Sequence, residues 1–389
     1  MTRPQPAAEQ SEVAGTPDHL PPYTAGYTGL KSFLFWAFKR LTVWLTACYG
    51  VIFLATWLAL KLVGERNITT AFLLYLPPFA WLLGLLPLLL LGLVFHWRCL
   101  AIQLSMGVLI CWGWLGYGIV QGTDRHQSGS SAEVLSIMTY NRGQHMNQSL
   151  QPFKNATQPD LLVFQDAAGR AEGFLRSTDY AEFGHAVSVG EFTLLSRFPI
   201  SENSLLPTHG PSKGARSARF VIDWNGRPVS IYAVHLMTPR DVLSSYMRGA
   251  FLWGIIGVPG TRWAEKRRHY QSFWDGQMAD VEAILTAVGG DSNPCIVAGD
   301  FNAPHTGYIH GMMTNELRDA HAEAGQGFGF TFPGVTRNPL SLGGPWMRID
   351  YIFHDSQWEA LECITEKERP SQHRAVMAKL RFIRSSNPL

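Results

Sequence analysis

The first third of the chain carries long apolar runs that charged residues hardly interrupt. The runs are Leu41–Val63, Thr69–Phe95 and Cys99–Val120, and Lys61 is the single charge inside them. Each run could cross about 30 Å of hydrocarbon as a helix. The pattern predicts a transmembrane region over residues 30–121. Its three helices are expected at about 41–63, 73–95 and 99–120. Pro77 and Pro78 interrupt the second run, so we expect its embedded part to begin near Pro78.

From residue 133 onward the pattern changes to short apolar runs, which turn signals separate and polar residues often end. Short strands with a few intervening helices predict one α/β domain over residues 133–385. Residues 1–29 are polar, contain Pro and Ser, and have no apolar period, which predicts a disordered tail. Residues 122–132 are expected to form a linker between the membrane region and this domain.

Composition and charge narrow the classes of protein. The 389 residues carry a net charge of only +2, and 16% of them are charged. There is no basic signature for nucleic acid, so a nucleic-acid partner is not expected. The five cysteines have no spacing typical of a metal site or a disulfide framework, and no protein partner is indicated.

Lysine and arginine residues near the apolar runs predict the orientation in a membrane. Lys31, Lys39 and Arg40 precede the first run, which favours an N-terminus in the cytoplasm. With three spans, the C-terminal domain would then lie outside the cytoplasm. The sequence therefore predicts an integral protein of the inner or plasma membrane with an extracytoplasmic C-terminal domain.

The run Cys295–Asn302 is the most informative segment for chemistry. An apolar strand ends at Gly299, and Asp300 and Asn302 follow at a spacing that points both side chains the same way. A carboxylate can take a proton from water, and a carboxamide can donate to a phosphoryl oxygen. We expect both residues to face a reaction site.

Further motifs extend this pattern and carry a resemblance. They are Thr139–Arg142, Val163–Asp166, Leu194–Pro199, Val234–Leu236, Gly299–Asn302, Arg348–Ile352 and Ser371–His373. In this order and spacing they resemble the endonuclease/exonuclease/phosphatase superfamily, which includes DNase I. The resemblance covers about residues 133–383 and implies a four-layer α/β sandwich, with two mixed sheets between layers of helices. It also implies Mg²⁺-dependent hydrolysis of phosphoric esters, with Mn²⁺ as the alternative metal.

The resemblance implies a metal site made from Asp166, Asn141 and Asp300, in which Asp300 also deprotonates the attacking water. Two positions depart from the family. Asp166 stands where the family has a glutamate, and Gln372 where it has an aspartate. Carboxylate oxygen still suits a hard cation, whereas Gln372 removes a charge.

The remaining roles concern the phosphate and its charge. By resemblance, Asn302 would hold a phosphate oxygen and His235 would be a further donor to the substrate. His373 would stabilise the developing charge and would be oriented by Asp350, because a carboxylate fixes an imidazole tautomer and raises its basicity. Arg142, next to the substrate-binding Asn141, is a candidate for contacting phosphate.

The segment Tyr246–Pro259 bears on the substrate class. It is apolar and aromatic, and basic residues follow it between Arg262 and Arg268. It is either a core-packing insertion or a membrane-dipping flap whose basic flank meets anionic headgroups. The flap interpretation predicts a membrane lipid as the substrate and the bilayer as a partner.

The leading hypothesis is a membrane-anchored phosphohydrolase that acts on a lipid pyrophosphate, monoester or phosphodiester. Its architecture looks like that of bacterial membrane proteins of the teicoplanin-resistance type, which are associated with undecaprenyl-pyrophosphate handling. A nuclease of the same superfamily is one alternative, and the near-neutral charge argues against it. A non-catalytic lipid- or phosphate-binding relative is another, and the retained water-activating residues argue against it.

Overall fold

The computed structural model describes residues 24–119, 133–143, 149–210, 214–240, 242, 262–334 and 343–383. Most of the predicted tail, the linker 122–132 and the apolar segment 246–259 lie outside these residues. The helices are α1 Thr24–Leu62, α2 Ile68–Leu74, α3 Phe79–Phe95, α4 Trp97–Leu109, α5 Phe153–Thr157, α6 Ala171–Leu175, α7 Arg262–Gly289, α8 Tyr308–Glu316 and α9 Ala320–Ala324. Helix α1 therefore begins inside the predicted tail.

The strands form two six-stranded sheets. They are β1 Val134–Asn141, β2 Leu161–Gln165, β3 His185–Val189, β4 Phe192–Ser196, β5 Ile200–Leu205, β6 Ser217–Trp224, β7 Arg227–His235, β8 Cys295–Asp300, β9 Arg318–Asp319, β10 Asp350–His354, β11 Trp358–Thr365 and β12 Val376–Phe382. The first sheet has the order β11-β12-β1-β2-β4-β3, and the second has the order β5-β6-β7-β8-β10-β9. The pairs β1–β2 and β7–β8 are parallel, and the other pairs are antiparallel.

Alternating apolar residues explain why the sheets pack face to face. Ile137 and Val163 of the first sheet share a fully buried cluster with Phe220, Ile231 and Ala298 of the second. The opposite faces are covered by helices. Val281 of α7 and Ile309 of α8 pack on the second sheet, whereas Phe174 of α6 packs on the first. The expected α/β sandwich is confirmed, and its helical outer layers follow from the strand period of two.

The N-terminal helices correct the expectation of three spans. Among the described helices, only α1 is by itself long and apolar enough to cross a membrane, over Gly29–Leu62. Helices α2 and α3 meet the same criterion only together, and they are bent by 76° relative to each other. If α1 alone crossed a membrane, the sandwich would lie on one side. If α2 and α3 together crossed it as well, the sandwich would lie on the other side. The three spans and the sidedness derived from them are therefore not supported.

The local chemistry explains the correction. Pro77 and Pro78 separate α2 from α3, and two successive prolines favour a break because each lacks an N–H and its ring crowds the preceding turn. Helix α2 then packs against α7, where Ile68 and Ala71 share a cluster with Trp274. The third apolar run is helical only to Trp114, through a π-helical turn, and Gly118 pairs with Gly327 of the sandwich domain.

Candidate active site

The site lies where strands of both sheets end. Asn141 ends β1 opposite Gln165 at the end of β2, and His235 ends β7 opposite Asp300 at the end of β8. Parallel neighbours end at the same edge of a sheet, so these side chains are brought together from four strands. Gly299 permits the close β7–β8 pairing, since a Cβ there would lie 1.9 Å from the Val234 carbonyl oxygen.

Asp300 is the centre of the site and is fully buried. Its Oδ2 accepts hydrogen bonds from Asn141 Nδ2 at 2.8 Å and from Asn302 Nδ2 at 3.2 Å. The same oxygen lies 3.8 Å from His235 Nε2 and 3.7 Å from His373 Nε2. Burial raises the pKa of Asp300, which moves this carboxyl group toward the basicity that a general base needs.

Asn302 is held in a left-handed backbone conformation, with φ of 47°. Asn adopts this region more readily than most residues because its short side chain bonds locally. Its backbone N–H donates to Asp300 Oδ1 at 2.8 Å, and its side-chain amide also donates to the Leu236 carbonyl at 2.9 Å. The conformation fixes the carboxamide beside the carboxylate, as the spacing of the two residues predicted.

His373 and Asp350 form one of two histidine–carboxylate pairs. Asp350 opens β10 directly opposite Asp300, and its Oδ2 lies 3.1 Å from His373 Nδ1. Burial alone would lower the pKa of His373, but the carboxylates of Asp350 and Asp300 raise it to about 9. The imidazolium form is therefore favoured at neutral pH, and it can stabilise negative charge on a phosphoryl group.

His235 forms the second pair, with a partner that lies outside all the sequence motifs. Its Nδ1 lies 3.2 Å from Glu191 Oε1 and 3.9 Å from Asp166 Oδ1. Glu191 sits in the two-residue turn between β3 and β4, and its carbonyl accepts from Ala167 N at 2.8 Å. Burial lowers the pKa of His235, but Glu191 and Asp300 outweigh this effect and raise it.

The carboxylates fall into two groups that could hold a divalent metal. Asp166, Glu191 and His235 form one, and Asp300, Asp350 and His373 form the other, with ligand atoms within 4.8 Å of one another in each. Carboxylate oxygens suit Mg²⁺. The Asn141 amide turns its nitrogen toward Asp300, and its oxygen accepts from Gly143 N at 2.8 Å. The residues present thus fit a divalent cation. Of the predicted set, Asp166 belongs to the first group and Asp300 to the second, whereas Asn141 contacts His235 and Asp300.

The other predicted residues lie around this centre. Asp166 follows β2 with φ of 53°, in the left-handed region, and its side chain is 36% exposed. The Arg142 guanidinium lies over the ring of Phe174, 4.9 Å from its centroid, and lines a separate cavity of about 540 Å³. Its predicted contact with phosphate stays a prediction. Gln372 Oε1 accepts from Arg240 at 3.4 Å.

A two-sheet α/β sandwich whose strand ends gather carboxylates, carboxamides and histidines defines a class of protein, the phosphoric ester hydrolases. The chain belongs to the Endonuclease/Exonuclease/phosphatase family, whose profile matches residues 133–373. The expected superfamily and enzyme class are thus confirmed. Members of this family typically depend on a divalent metal, in agreement with the two acidic groups.

Several solved structures are similar to the chain. A humanized D. rerio TDP2 is 13% identical, with a TM-score of 0.45, and the match covers 64% of this chain and 99% of that chain. The Neisseria 3′ phosphatase NExo, bound to a product DNA hairpin, is 14% identical, with a TM-score of 0.43, and the match covers 63% of this chain and 98% of that chain. The human Nocturnin catalytic domain with bound sulfate is 14% identical, with a TM-score of 0.43, and the match covers 64% of this chain and 95% of that chain. No curated protein matches the chain.

Proposed function

We propose that the protein is a membrane-anchored, Mg²⁺-dependent hydrolase of a phosphorylated lipid, acting on a pyrophosphate, a monoester or a phosphodiester headgroup. The observation that carries this proposal is the position of the N-terminal helices. They expose apolar side chains on one side and contact the loop after Asp300 and Asn302 on the other. An enzyme whose anchor touches its reaction site is suited to a substrate that is itself held in the bilayer.

The exposed apolar surface is the first support. Val51, Leu83, Leu90, Leu93 and Val108 are each exposed by 64–67%. Large contiguous apolar surfaces on a protein mark contact with another apolar phase. In the sandwich, by comparison, Leu175, Leu205 and Ile383 are the large apolar residues with high exposure among the described positions. Helix α1 supplies the anchor, and the outward faces of α3 and α4 extend the lipid-facing surface.

The site chemistry supports hydrolysis by a water molecule. A bound Mg²⁺, held by Asp166 with Asn141 and Asp300, would neutralise charge on the phosphate oxygens and orient the substrate. Asp300 accepts the proton of the attacking water, while Asn141 and Asn302 fix its carboxylate through their amide groups. His373, held by Asp350, supplies positive charge 3.7 Å from Asp300 Oδ2, and His235, held by Glu191, lies 3.8 Å from the same oxygen as a further donor to the substrate.

The expected likeness to teicoplanin-resistance membrane proteins, which rests on the combination of a membrane anchor and a catalytic domain, makes polyprenyl pyrophosphates the first substrates to test. Full-length protein in detergent would be incubated with Mg²⁺ and either polyprenyl pyrophosphate, phospholipid, sphingomyelin or DNA. Release of phosphate or headgroup from one lipid class, abolished by EDTA and by Asp300→Asn, would support the proposal. Turnover of DNA alone would replace it with the nuclease alternative, and folded protein without any turnover would favour a binding role.

A further inference from the structure

We infer that Tyr75, which follows α2 in the helical region formed by α1 to α4, is a positioning residue for the reaction because it holds Asn302 in its left-handed conformation. The Tyr75 hydroxyl donates to the Asn302 backbone carbonyl at 2.7 Å. The two residues are 227 positions apart in the sequence, so this contact exists only through the docking of the helices on the sandwich. The inference rests on the proposed hydrolytic role of the site.

The Tyr75 ring is itself fixed in place. It stacks on Trp274 with ring centroids 5.7 Å apart and an angle of 29° between the planes. It also packs against the buried cluster of Trp346, Met347 and Ile349, immediately before Asp350. A tyrosine held by these two contacts delivers its hydroxyl to one position, as a positioning group must.

Further contacts join the helical region to residues 305–309, which follow Asn302. Glu65 is completely buried, and its Oε2 accepts from Tyr308 N at 2.7 Å and from Ile309 N at 3.2 Å. Lys61 Nζ donates to the His305 carbonyl at 3.4 Å. A Cβ on Gly307 would lie 2.3 Å from Glu65 Oε1, so the loop and the helical region fit closely.

Asn302 needs such support because its conformation is an uncommon one for a residue with a side chain. Its N–H and its amide are bound to Asp300 and Leu236, and Tyr75 holds the carbonyl on the other side of the residue. Without the Tyr75 hydroxyl, the peptide after Asn302 could rotate and move the carboxamide away from the Asp300 carboxylate. The loss would appear in the rate of reaction more than in substrate binding.

The test compares Tyr75→Phe with Tyr49→Phe in the full-length protein. Tyr49 makes the matched control because its hydroxyl also donates to a backbone carbonyl, that of Trp81, within the helical region. The substrate is a small soluble aryl phosphodiester with Mg²⁺, so that turnover does not depend on lipid recognition. We expect Tyr75→Phe to lower kcat about tenfold with KM unchanged, and Tyr49→Phe to leave kcat unchanged.

A second measurement keeps the inference testable if no substrate is turned over. Hydrogen exchange of residues 300–309 should become faster in Tyr75→Phe than in Tyr49→Phe, while exchange in the sheets stays the same. An unchanged kcat, or unchanged exchange, in Tyr75→Phe would overturn the inference. Equal effects of both variants would reduce Tyr75 to a structural role, whereas an inactive wild type with faster loop exchange in Tyr75→Phe would count against the proposed function alone.

Discussion

The sandwich domain buries its apolar side chains, whereas the N-terminal helices expose many of theirs. In the sandwich, apolar side chains such as Phe220 and Ile231 are fully buried between the sheets. In the N-terminal region, apolar side chains such as Val51 and Leu90 point outward, while the carboxyl group of Glu65 is completely buried against the sandwich. A protein surrounded only by water does not gain from this inversion. The difference indicates that the two regions are built for different surroundings.

The largest expected effect tests whether the polar centre of the sandwich is a reaction site. Asp300→Asn keeps the shape of the side chain but removes the carboxylate that accepts the proton. We expect kcat to fall about 10³-fold, since general bases contribute 10²–10⁴-fold. Steady-state turnover measures the effect, and circular dichroism checks the fold. Asp223→Asn, the same change in an exposed hairpin, is the control, and a fully active Asp300→Asn protein would refute the assigned base.

The next prediction concerns the outward face of the helices. Val51→Arg puts a charge on α1, where an arginine near the centre of a span costs about 3 kcal/mol, or roughly a hundredfold in membrane partitioning. We expect the fraction of protein that floats with vesicles to fall sharply. Leu205→Arg, the same kind of change at an exposed position of β5, should have no effect. Equal flotation of the two variants would show that α1 does not lie in lipid.

A smaller effect is expected at the metal site. Asp166→Ala should weaken Mg²⁺ binding about 10-fold to 100-fold, because it removes a carboxylate from the group with Glu191 and His235. Asp166→Glu should retain the affinity or raise it, because it introduces the residue of the related family. Calorimetric Mg²⁺ titration measures both. If Asp166→Glu no longer binds Mg²⁺, the pocket has been rebuilt around the shorter side chain.

The smallest expected effect is on the pH dependence of stability, and it involves one carboxyl group from each region. Burial raises the pKa of Glu65 to about 7. Burial alone would also raise the pKa of Glu323, but His354, the Ala360 N–H and Arg318 together outweigh it and lower this pKa. The raised pKa of Glu65 stabilises the fold fully below about pH 4.5 and loses this effect as pH rises through 7. The lowered pKa of Glu323 gives stability that is present above its ordinary pKa and is lost as pH falls through the folded value.

Replacing each of these two glutamates by glutamine should therefore shift the melting temperature, and the two shifts should depend on pH in opposite ways. Relative to the wild type, Glu65→Gln should gain a few °C between pH 5 and pH 8, because it removes a group that ionises unfavourably. Glu323→Gln should cost stability at neutral pH and less in acid. Melting in detergent at several pH values measures both, and parallel curves for wild type and Glu65→Gln would contradict the assignment.

The sequence predicted the sandwich, and it predicted which polar side chains follow its strands, because strand ends are visible in the residue pattern. Such ends carry Asn141, His235, Asp300 and Asn302. In the structure Asn141 and Asn302 donate to Asp300, and Asn141 lies 3.3 Å from His235. Glu191 could not be found in this way, because it lies in a turn and reaches His235 only when β3 and β4 fold beside β2. A glutamate after a glycine in a hairpin carries no local signal of such a role.

The helices show the limit of hydropathy. The second run is apolar throughout, yet its first part, α2, packs against Trp274 of the sandwich and does not form one straight helix with α3. Pro77 and Pro78 signalled a break, but the direction of the chain after a break depends on the surface that receives it. Tyr75 and Glu65 were missed for the same reason, since their partners lie more than 200 residues away.

The close docking of α2 on the sandwich has a consequence for proteolysis. A protease that removed the residues before β1 would uncover Phe273 and Trp274, which are 6% and 1% exposed in the intact chain. The released fragment would carry a new apolar patch and would lack the hydroxyl that contacts Asn302. We expect the cleaved fragment to aggregate and to turn over slowly, so that activity would be confined to the intact chain.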